Sequence, residues 1–380
     1  MQIKLQGKCG VVGENRMEKI KLTDICNPKQ WKTIPTSELL ENGYPVYGAN
    51  GIIGYYSEFN HKNPVITVTC RGATCGTINI TVPKSYVTGN AMCLDDMRSD
   101  IYMEYLYYCL KHYNFNNVIS GSAQPQITRQ GMEKIYVTIG SHNEQMDIVD
   151  KLKKVENVIG LRKRELKQLD TLVKSRFAEM FGDPIRNPKG WKVVTIGDIV
   201  TEVRYGTSKP AVEGGKYPYL RMNNLTADGH LDLNDLKYID ISDDEVEKCV
   251  VRKGDVLFNR TNSIDLVGKT AVFDLPDDMV IAGYIIRVRL NEKILPEVLS
   301  QYMNLEALKD ILRSMAKGAV NQANINAQEL QSIRIYVPDI ELQKQFVEMK
   351  DQVDKSKSKI QKSLEETQLL FDSLMQKYFG

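Results

Sequence analysis

The 380-residue sequence contains no hydrophobic run long enough to cross a membrane. Its longest apolar stretches, such as residues 280–286, fall far short of the roughly 20 residues that a spanning helix requires. The first residues also lack the hydrophobic core of a secretion signal. The seven cysteines, an odd number, show no paired framework, which favours reduced thiols. These absences predict a cytoplasmic protein with no membrane partner.

Metal-binding and catalytic motifs are missing as well. Cys70 and Cys75 lie near His61, but no second pair of ligands follows at the spacing of a zinc site, so we expect no metal. The Gly-Lys-Thr sequence at Gly268 resembles part of a phosphate-binding loop, but Ser263 stands where that loop needs its first glycine. The Gly-rich turn and the Asn/Asp-Pro-Pro-aromatic tetrad of an adenine methyltransferase are absent. We therefore expect no catalytic residue and no cofactor on this chain.

Charge of either sign is not in excess, since 50 Lys and Arg residues face 48 Asp and Glu residues, for a net charge of +2. So balanced a composition neither predicts nor excludes a nucleic-acid partner. The length does allow two or more domains, each with a core of its own.

An internal repeat organises the chain. Residues 145–182 are predicted to form a long amphipathic helix, and residues 343–380 repeat it 198 positions later. The alignment extends back to Ile127 over Ile325 without a gap, and eleven of its 56 positions are identical. In both copies the apolar residues follow the alternating 4,3 spacing of a coiled-coil seam. Each helix is long enough, at about 57 Å for 38 residues, to act as a spacer.

The two helices are predicted to pair with each other. Polar residues that interrupt one seam align with apolar residues of the other, as Arg162 does with Ile360. Antiparallel pairing with pseudo-twofold symmetry would bring the end of the second helix beside Lys19. The alternative is that these are two ordinary amphipathic helices of a globular core, which would look alike without pairing.

Each helix follows a predicted mixed α/β globule. Three pairs of extended segments correspond between the halves: 44–50 with 217–223, 64–72 with 255–261, and 86–90 with 280–284. In the second pair, a buried strand runs out into a polar loop that contains an arginine. A short helix is expected at 101–113 and at 296–317. The predicted boundaries are 1–16 for a lead-in, 17–140 and 192–338 for the globules, 141–182 and 339–380 for the helices, and 183–191 for a linker.

The loops of both globules are rich in groups suited to the edges of DNA bases. Asn and Gln can bond adenine bidentately, Arg can fork onto guanine, and Thr methyl groups can touch thymine. The corresponding loops of the two halves differ in sequence, which suggests two different targets. For any single residue, an ordinary role in a turn remains an equal alternative.

At this point the chain resembles the specificity subunit of type I restriction-modification systems, from Met17 to Gly380. The resemblance rests on the duplicated order of globule and helix and on three sequence features: Tyr44-Pro-Val-Tyr-Gly-Ala-Asn-Gly51, Val87-Thr-Gly-Asn-Ala91, and Leu172–Phe181 running into Gly182-Asp-Pro184. It implies two tandem α+β target recognition domains, each reading one half of a bipartite double-stranded DNA target. The paired helices would set the gap between the half-sites and dock two methyltransferase subunits.

The resemblance also implies a non-catalytic chain. S-adenosylmethionine and ATP are expected on partner subunits, the former on the modification subunits and the latter on a restriction subunit that translocates and cleaves DNA. Two alternatives remain open. The chain could be a self-sufficient DNA-modifying enzyme, or a non-catalytic helical scaffold that binds proteins.

Loop positions predict which residues contact DNA. In the first domain they are Tyr47, Asn50, Arg71, Thr74, Gln124, Gln126 and Arg129. In the second domain they are Arg204, Lys209, Arg221, Asn223, Asn259, Arg260, Asn262, Asn321, Gln322 and Asn324. The helix residues expected at the subunit-docking surfaces are Ile148, Leu152, Val155, Leu166, Phe346, Val353, Leu364 and Phe371.

Overall fold

The computed structural model describes residues 17–121, 124–264, 266–316 and 323–380. The chain divides into two compact units. The first unit holds the described residues up to Leu161 together with Ser363–Gly380, and the second unit holds Arg162–Lys362. Each unit therefore contains one α/β domain, part of one long helix and part of the other. Among the described residues, no helix combines the length and the apolar character needed to span a bilayer.

The first domain and its long helix contain these elements in chain order: β1 (Glu18–Lys21), α1 (Leu22–Ile25), β2 (Asn27–Gln30), β3 (Tyr44–Gly48), β4 (Gly51–Tyr56), β5 (Ile66–Thr69), β6 (Ile78–Ile80), β7 (Tyr86–Val87), β8 (Ala91–Asp95), α2 (Met103–His112), β9 (Ile119–Ser120), β10 (Gln126–Ile127), α3 (Arg129–Met132), β11 (Tyr136–Ile139) and α4 (His142–Phe181). Short 3-10 helices lie at Thr36–Glu38 and Phe115–Asn117.

The second domain and its long helix continue with β12 (Lys192–Thr195), β13 (Val200–Tyr205), β14 (Tyr217–Leu220), β15 (Lys237–Ile239), α5 (Asp243–Cys249), β16 (Val250–Val251), β17 (Val256–Asn259), β18 (Thr261–Asn262), β19 (Thr270–Val272), β20 (Met279–Ile281), β21 (Ile285–Leu290), α6 (Pro296–Met303), α7 (Glu306–Met315), β22 (Ala323–Asn324), α8 (Ala327–Ser332), β23 (Arg334–Val337) and α9 (Ile340–Phe379). Short 3-10 helices lie at Ile196–Asp198 and Met222–Asn224.

A four-stranded antiparallel sheet lies at the centre of each domain. Its strand order is β2-β8-β5-β6 in the first unit and β13-β21-β17-β19 in the second. The inner strands β5 and β17 are buried at every residue, as expected for strands with a neighbour on each side and cover on both faces. A second sheet has the order β4-β3-β7 in one domain and β15-β14-β20-β16 in the other. The two domains thus share one architecture, which confirms the predicted duplication.

The second sheets also match in register. Each contains one parallel pair, β3 with β7 and β14 with β20. The paired residues are Val46 with Tyr86, Tyr47 with Val87, Tyr219 with Val280, and Leu220 with Ile281. These pairs fall at equivalent positions of the segments that the sequence aligns. The segment alignment is therefore correct residue by residue at this point of the fold.

The long helices run antiparallel, as contacts within the second unit show. Near the end of α4, the ring of Phe181 lies 5.4 Å from that of Phe346, near the start of α9. Further back along α4, Asp170 accepts a 2.6 Å ion pair from Lys357, which lies further forward along α9. Moving back along α4 therefore corresponds to moving forward along α9, which is the arrangement of an antiparallel pair. In the first unit, the same arrangement places Ile148 of α4 and Phe371 of α9 in one core.

The end of α9 packs beside β1, as the repeat predicts. The ring of Phe379 lies 5.4 Å from Tyr105, whose hydroxyl donates to the carbonyl of Thr138 at 2.8 Å. Thr138 is the strand partner of Lys19 in the β1–β11 pair. The C-terminal residues of the chain therefore complete the core of the first domain.

One predicted helix is wrong. Residues 296–317 were expected to form a single helix, but α6 ends at Met303 and α7 begins at Glu306. The side chain of Asn304 lies between them, accepting from the backbone N–H of Thr270 at 3.2 Å and donating to its carbonyl at 2.6 Å. This pair of bonds to β19 fixes the break, and it depends on a strand 34 residues away in sequence.

Candidate nucleic-acid interface

A cleft of about 1000 Å³ opens at the strand ends of the second domain. The segments that follow β13, β14 and β17 line it, together with the turn between β20 and β21 and the strand β22. The cleft brings together five of the ten residues predicted for this domain: Lys209, Arg221, Asn223, Arg260 and Asn324. Their donors and acceptors are of the kinds that read bases and hold phosphates.

Two of the three cations in this cleft are paired with carboxylates. Lys209 lies 2.6 Å from Glu245, and Arg221 lies 2.6 Å from Asp235. Arg260 instead lies over the ring of Tyr205, with 4.8 Å between the guanidinium carbon and the ring centroid. The cleft therefore holds two cations whose charge is partly neutralised by a carboxylate and one that packs on an aromatic ring.

Two other predicted residues of the second domain, Arg204 and Asn259, lie outside the cleft. Arg204 is exposed on β13, where it donates to Glu202 at 3.0 Å and does not line the cleft. Asn262 belongs to the short strand β18, opposite Ala323. Asn259 is fully buried in β17, so its prediction as a DNA contact is corrected. The last two, Asn321 and Gln322, lie outside the described residues.

In the first domain, four predicted residues gather at the ends of β3, β5 and β10. Arg71 forms an isolated β-bridge with Gln126. Thr74 donates a 2.6 Å hydrogen bond to the side chain of Asn50. Asn50, Arg71 and Gln126 are exposed, so this surface is open to a ligand. It is the counterpart, in the first unit, of the rim of the cleft.

Tyr47 does not belong to that surface. Only 6% of it is exposed, and its hydroxyl accepts from the backbone N–H of Val82 at 3.2 Å. The prediction of Tyr47 as a DNA contact is therefore corrected. Arg129 is exposed and donates to Asn27 at 3.2 Å, and Gln124 is exposed beside the turn at Gly121.

Arg71 follows β5 and Arg260 follows β17, but these two arginines do not occupy equivalent positions. Ile127 donates its backbone N–H to the carbonyl of Cys70 at 3.0 Å, and Ile325 donates to that of Arg260 at 2.9 Å. Since Ile127 and Ile325 are repeat equivalents, Arg260 occupies the position of Cys70 and not that of Arg71. A shift of one residue in an extended segment turns the side chain to the opposite face. The two domains therefore present different groups at this position.

The Gly-Lys-Thr sequence is part of a hairpin between β17 and β19. Gly268 has a φ of +79°, as the turn requires, and its N–H bonds to the carbonyl of Asn259. Lys269 donates to the carbonyl oxygens of Met222 at 2.9 Å and of Leu225 at 2.5 Å. Burial lowers the pKa of Lys269. The ammonium group of Lys269 is therefore used to hold the segment 222–225 beside the cleft, and it does not act as the lysine of a phosphate-binding loop.

One group of side chains in the described residues places three potential metal ligands close together. Ligand atoms of His61, Cys93 and Asp95 lie within 4.8 Å of one another. His61 Nε2 lies 2.9 Å from Asp95 Oδ1, and Asp95 Oδ2 accepts from the indole N–H of Trp31 at 3.1 Å. A metal ion would have to displace the His61–Asp95 pair to bind here. His61 thus pairs with Asp95 rather than with Cys70 or Cys75.

The predicted docking residues of the helices are largely buried in the chain itself. Ile148, Leu152 and Phe371 belong to the first core, while Phe346 and Val353 belong to the second. These five are corrected, because a side chain packed inside its own domain offers no surface to a partner. Val155 and Leu364 pack partly buried against the first core, and Leu166 is partly exposed. The exposed large apolar residues of the two long helices are Met146, Val158, Leu161, Leu172, Leu369 and Leu370.

The chain thus belongs to the class of proteins with a duplicated α/β domain, here with Asn, Gln and Arg side chains in the loops at the strand ends. The family model described as "Type I restriction modification DNA specificity domain" matches residues 14–171 and 188–367. Those ranges make up most of the sequence, and the chain therefore belongs to the type I restriction-modification DNA specificity family. The resemblance seen in the sequence is confirmed.

Curated relatives share part of their length with this chain. It is 23% identical over 303 residues to the type I restriction enzyme EcoKI specificity subunit of Escherichia coli strain K12, across 73% of this chain and 65% of the relative. It is 30% identical over 196 residues to a protein of Methanocaldococcus jannaschii whose assigned name is type I restriction enzyme MjaX specificity subunit, across 50% of this chain and 46% of the relative. The matches thus span about half to two thirds of these relatives.

Solved structures show the same fold along almost the whole chain. A type I restriction-modification S subunit from M. genitalium matches with a TM-score of 0.63 and 15% identity, across 99% of both chains. A chain from a type I restriction-modification system matches with a TM-score of 0.57 and 19% identity, across 97% of this chain and 99% of the other. At these identities the likeness concerns the fold alone. It confirms the mixed α/β architecture with two tandem domains.

Proposed function

We propose that this chain is the sequence-specific DNA-recognition subunit of a type I restriction-modification complex. Each domain reads one half of a bipartite target through the loops at its strand ends. The long helices set the gap and dock two methyltransferase subunits. S-adenosylmethionine belongs to those subunits, and ATP belongs to a restriction subunit where one is present.

The observation that carries this proposal is one backbone arrangement bearing different side chains in the two domains. Cys70 donates its N–H to the carbonyl of Asn90 at 3.1 Å, and Arg260 donates to that of Tyr284 at 3.0 Å. These bonds join equivalent positions at the strand ends. Arg260 lines the cleft, whereas Cys70 is buried in the first core, so the same backbone offers different groups to a ligand in the two domains. That difference is what two readers of unlike sequences require.

The balanced charge fits a reader that shares its DNA with other subunits. Phosphate contacts supply much of the affinity of DNA-binding proteins, and Lys and Arg make most of them. With a net charge of +2, this chain has little excess positive charge with which to bind phosphates. Partner subunits would then hold much of the backbone, while this chain contributes the contacts to the bases.

The test is to map methylated adenines at single-base resolution in cells that express this chain with its methyltransferase. The same map is made after residues 17–140 are exchanged for another recognition domain, and separately after residues 192–338 are exchanged. We expect a split motif of which each exchange changes one half only. A continuous motif, or a map that does not depend on this chain, would refute the proposal. Binding of S-adenosylmethionine by the isolated chain would favour a self-sufficient enzyme instead.

A further inference from the structure

Arg260 is held more rigidly than a surface arginine usually is. Its backbone is bonded on both sides, since its N–H donates to Tyr284 at 3.0 Å and its carbonyl accepts from Ile325 at 2.9 Å. Its guanidinium lies over the ring of Tyr205 at 4.8 Å. Tyr205 is fixed in turn, because its hydroxyl accepts from the backbone N–H of Ala327 at 2.7 Å. The Nε of Arg260 also donates to the carbonyl of Ile325 at 3.5 Å, so its two terminal nitrogens carry the donors that remain for a ligand.

The charge of Arg260 has no acidic partner among the described residues. The described residues that line its cleft include no Asp or Glu. Within the described parts of the chain, no carboxylate lies within ion-pair distance of its guanidinium, in contrast to Lys209 and Arg221. A ligand acceptor can therefore bind Arg260 without first displacing a carboxylate.

We propose that Arg260 reads one guanine in the half-site of the second domain and that Tyr205 is its positioning residue. A planar guanidinium whose terminal nitrogens have no partner among the described residues matches the O6 and N7 acceptors of guanine, which only a G·C pair offers side by side in the major groove. This inference rests on the proposed function and assigns one base to one side chain.

The first domain lacks this reader. The strand register places Gln30 at the position of Tyr205, because Gln30 pairs with Met92 where Tyr205 pairs with Ile286. Gln30 donates to the sulfur of Cys70, which stands at the position of Arg260, at 3.0 Å. It also donates to the carbonyl of Gly89 at 2.9 Å. A guanine contact of this kind is therefore specific to the half-site of the second domain.

The experiment uses the full chain with its methyltransferase, acting on synthetic duplexes that carry the mapped target. Each guanine of the second half-site is replaced in turn by 7-deazaguanine, which lacks the N7 acceptor. With the native chain, one replacement should lower the methylation rate clearly. Arg260→Ala should abolish that sensitivity and reduce discrimination at this base pair by about 5- to 150-fold. The other half-site should be read as before.

Matched variants separate base reading from charge and from folding. Arg260→Lys keeps the charge but not the fork, so it should retain binding and lose discrimination at the same base pair. Tyr205→Leu should weaken that discrimination, whereas Tyr205→Phe should largely preserve it because the ring remains. Arg252→Ala, an exposed arginine paired with Glu247 and Asp278, is the control that should leave the motif unchanged.

Three results would overturn this inference while leaving the proposed function intact. The first is a half-site with no guanine. The second is a guanine whose 7-deaza sensitivity persists in Arg260→Ala and Arg260→Lys. The third is a uniform loss of affinity for every sequence in Arg260→Ala, which would make this residue a phosphate contact. Absence of any split motif with the native chain would instead refute the proposed function.

Discussion

Protonation of His230 should strengthen the attachment of the second domain to α9. His230 lies in a loop beside a cavity of about 170 Å³, between two carboxylates. Its Nδ1 lies 3.2 Å from Asp228, in a contact not directed as a hydrogen bond, and its Nε2 lies 3.3 Å from Asp354 of α9. The carboxylates of Asp228 and Asp354 raise the pKa of His230 to about 9, against burial and the nearby charge of Lys350. Lys357 adds to this network by contacting Asp228 at 3.2 Å.

The sign of the effect follows from the raised pKa. A histidine with an ordinary pKa of 6.5 when unfolded and about 9 when folded stabilises the fold fully below pH 6.5. This contribution is lost as the pH rises through 9. The whole difference would correspond to about 3 kcal/mol. Because 38% of the side chain is exposed to screening by solvent, we expect about 1 to 2 kcal/mol.

A second group titrates in the same range with the opposite sign. Burial lowers the pKa of Lys309 to about 8, so its charged form is disfavoured in the folded protein. The destabilisation is present below pH 8 and is relieved as the pH rises towards the ordinary value of 10.5. The pH dependence of the native chain alone would therefore mix both effects. Only the difference between a His230 variant and its parent isolates the histidine.

The assay is denaturant unfolding of full-length His230→Gln and its parent between pH 6 and 10. Trp191 packs against the second core, so a Trp31→Phe background reports on the second unit through Trp191 fluorescence. The free energy of unfolding of the parent should be higher than that of the variant by about 1 to 2 kcal/mol at pH 6, and the two should be nearly equal at pH 10. A difference that is constant across this range would refute the reasoning. His112→Gln, whose ring contacts Phe379, is the control.

Three further changes test the cores and the helix surface. Phe346→Ala should lower the free energy of unfolding of the second unit by about 3 to 5 kcal/mol, because it removes a fully buried ring 5.3 Å from Phe177. Glu202→Gln should cost about 1 to 3 kcal/mol in the same measurement, because it removes the charge of the partly exposed carboxylate that lies 2.7 Å from the fully buried Arg287. Leu369→Asp, at a side chain 69% exposed, should leave unfolding unchanged but reduce co-purification with the methyltransferase. Unaltered co-purification would exclude this side chain from the docking surface.

The sequence was sufficient to predict the duplication because the repeat reflects packing that both halves share. The helix seams and the pairing of Tyr47 with Val87 depend on hydrophobic patterns that one chain displays directly. Orientation within a loop depends instead on distant partners. Nothing local shows that the hydroxyl of Tyr47 bonds to Val82, or that Asn304 bonds to Thr270 and breaks a helix. The predictions that failed are those decided by such contacts.

The same limit explains why the stacked arginine was not visible in the sequence. Arg260 appeared among the DNA contacts because of its residue type and its loop, as did Arg221 and Lys209. What distinguishes it is the ring of Tyr205, which lies 55 positions earlier, and the absence of Asp and Glu among the described residues that line the cleft. Both are tertiary facts. In the sequence, an Arg or Lys that pairs with a carboxylate cannot be distinguished from one that does not, because the pairing depends on the fold.

The backbone bonds at the strand ends give this fold a way to change what it reads. They hold equivalent positions in both domains, and they involve no side-chain atoms. Cys70 and Arg260 can therefore differ in size and charge while the chain follows the same course. The side chain that contacts this position also differs, since Gln30 contacts Cys70 in the first domain and Tyr205 contacts Arg260 in the second. Cys70 is buried in the first core, whereas Arg260 lines the cleft of the second domain. A change of target at this position therefore requires a matched pair of substitutions and also alters the edge of the core at that strand end.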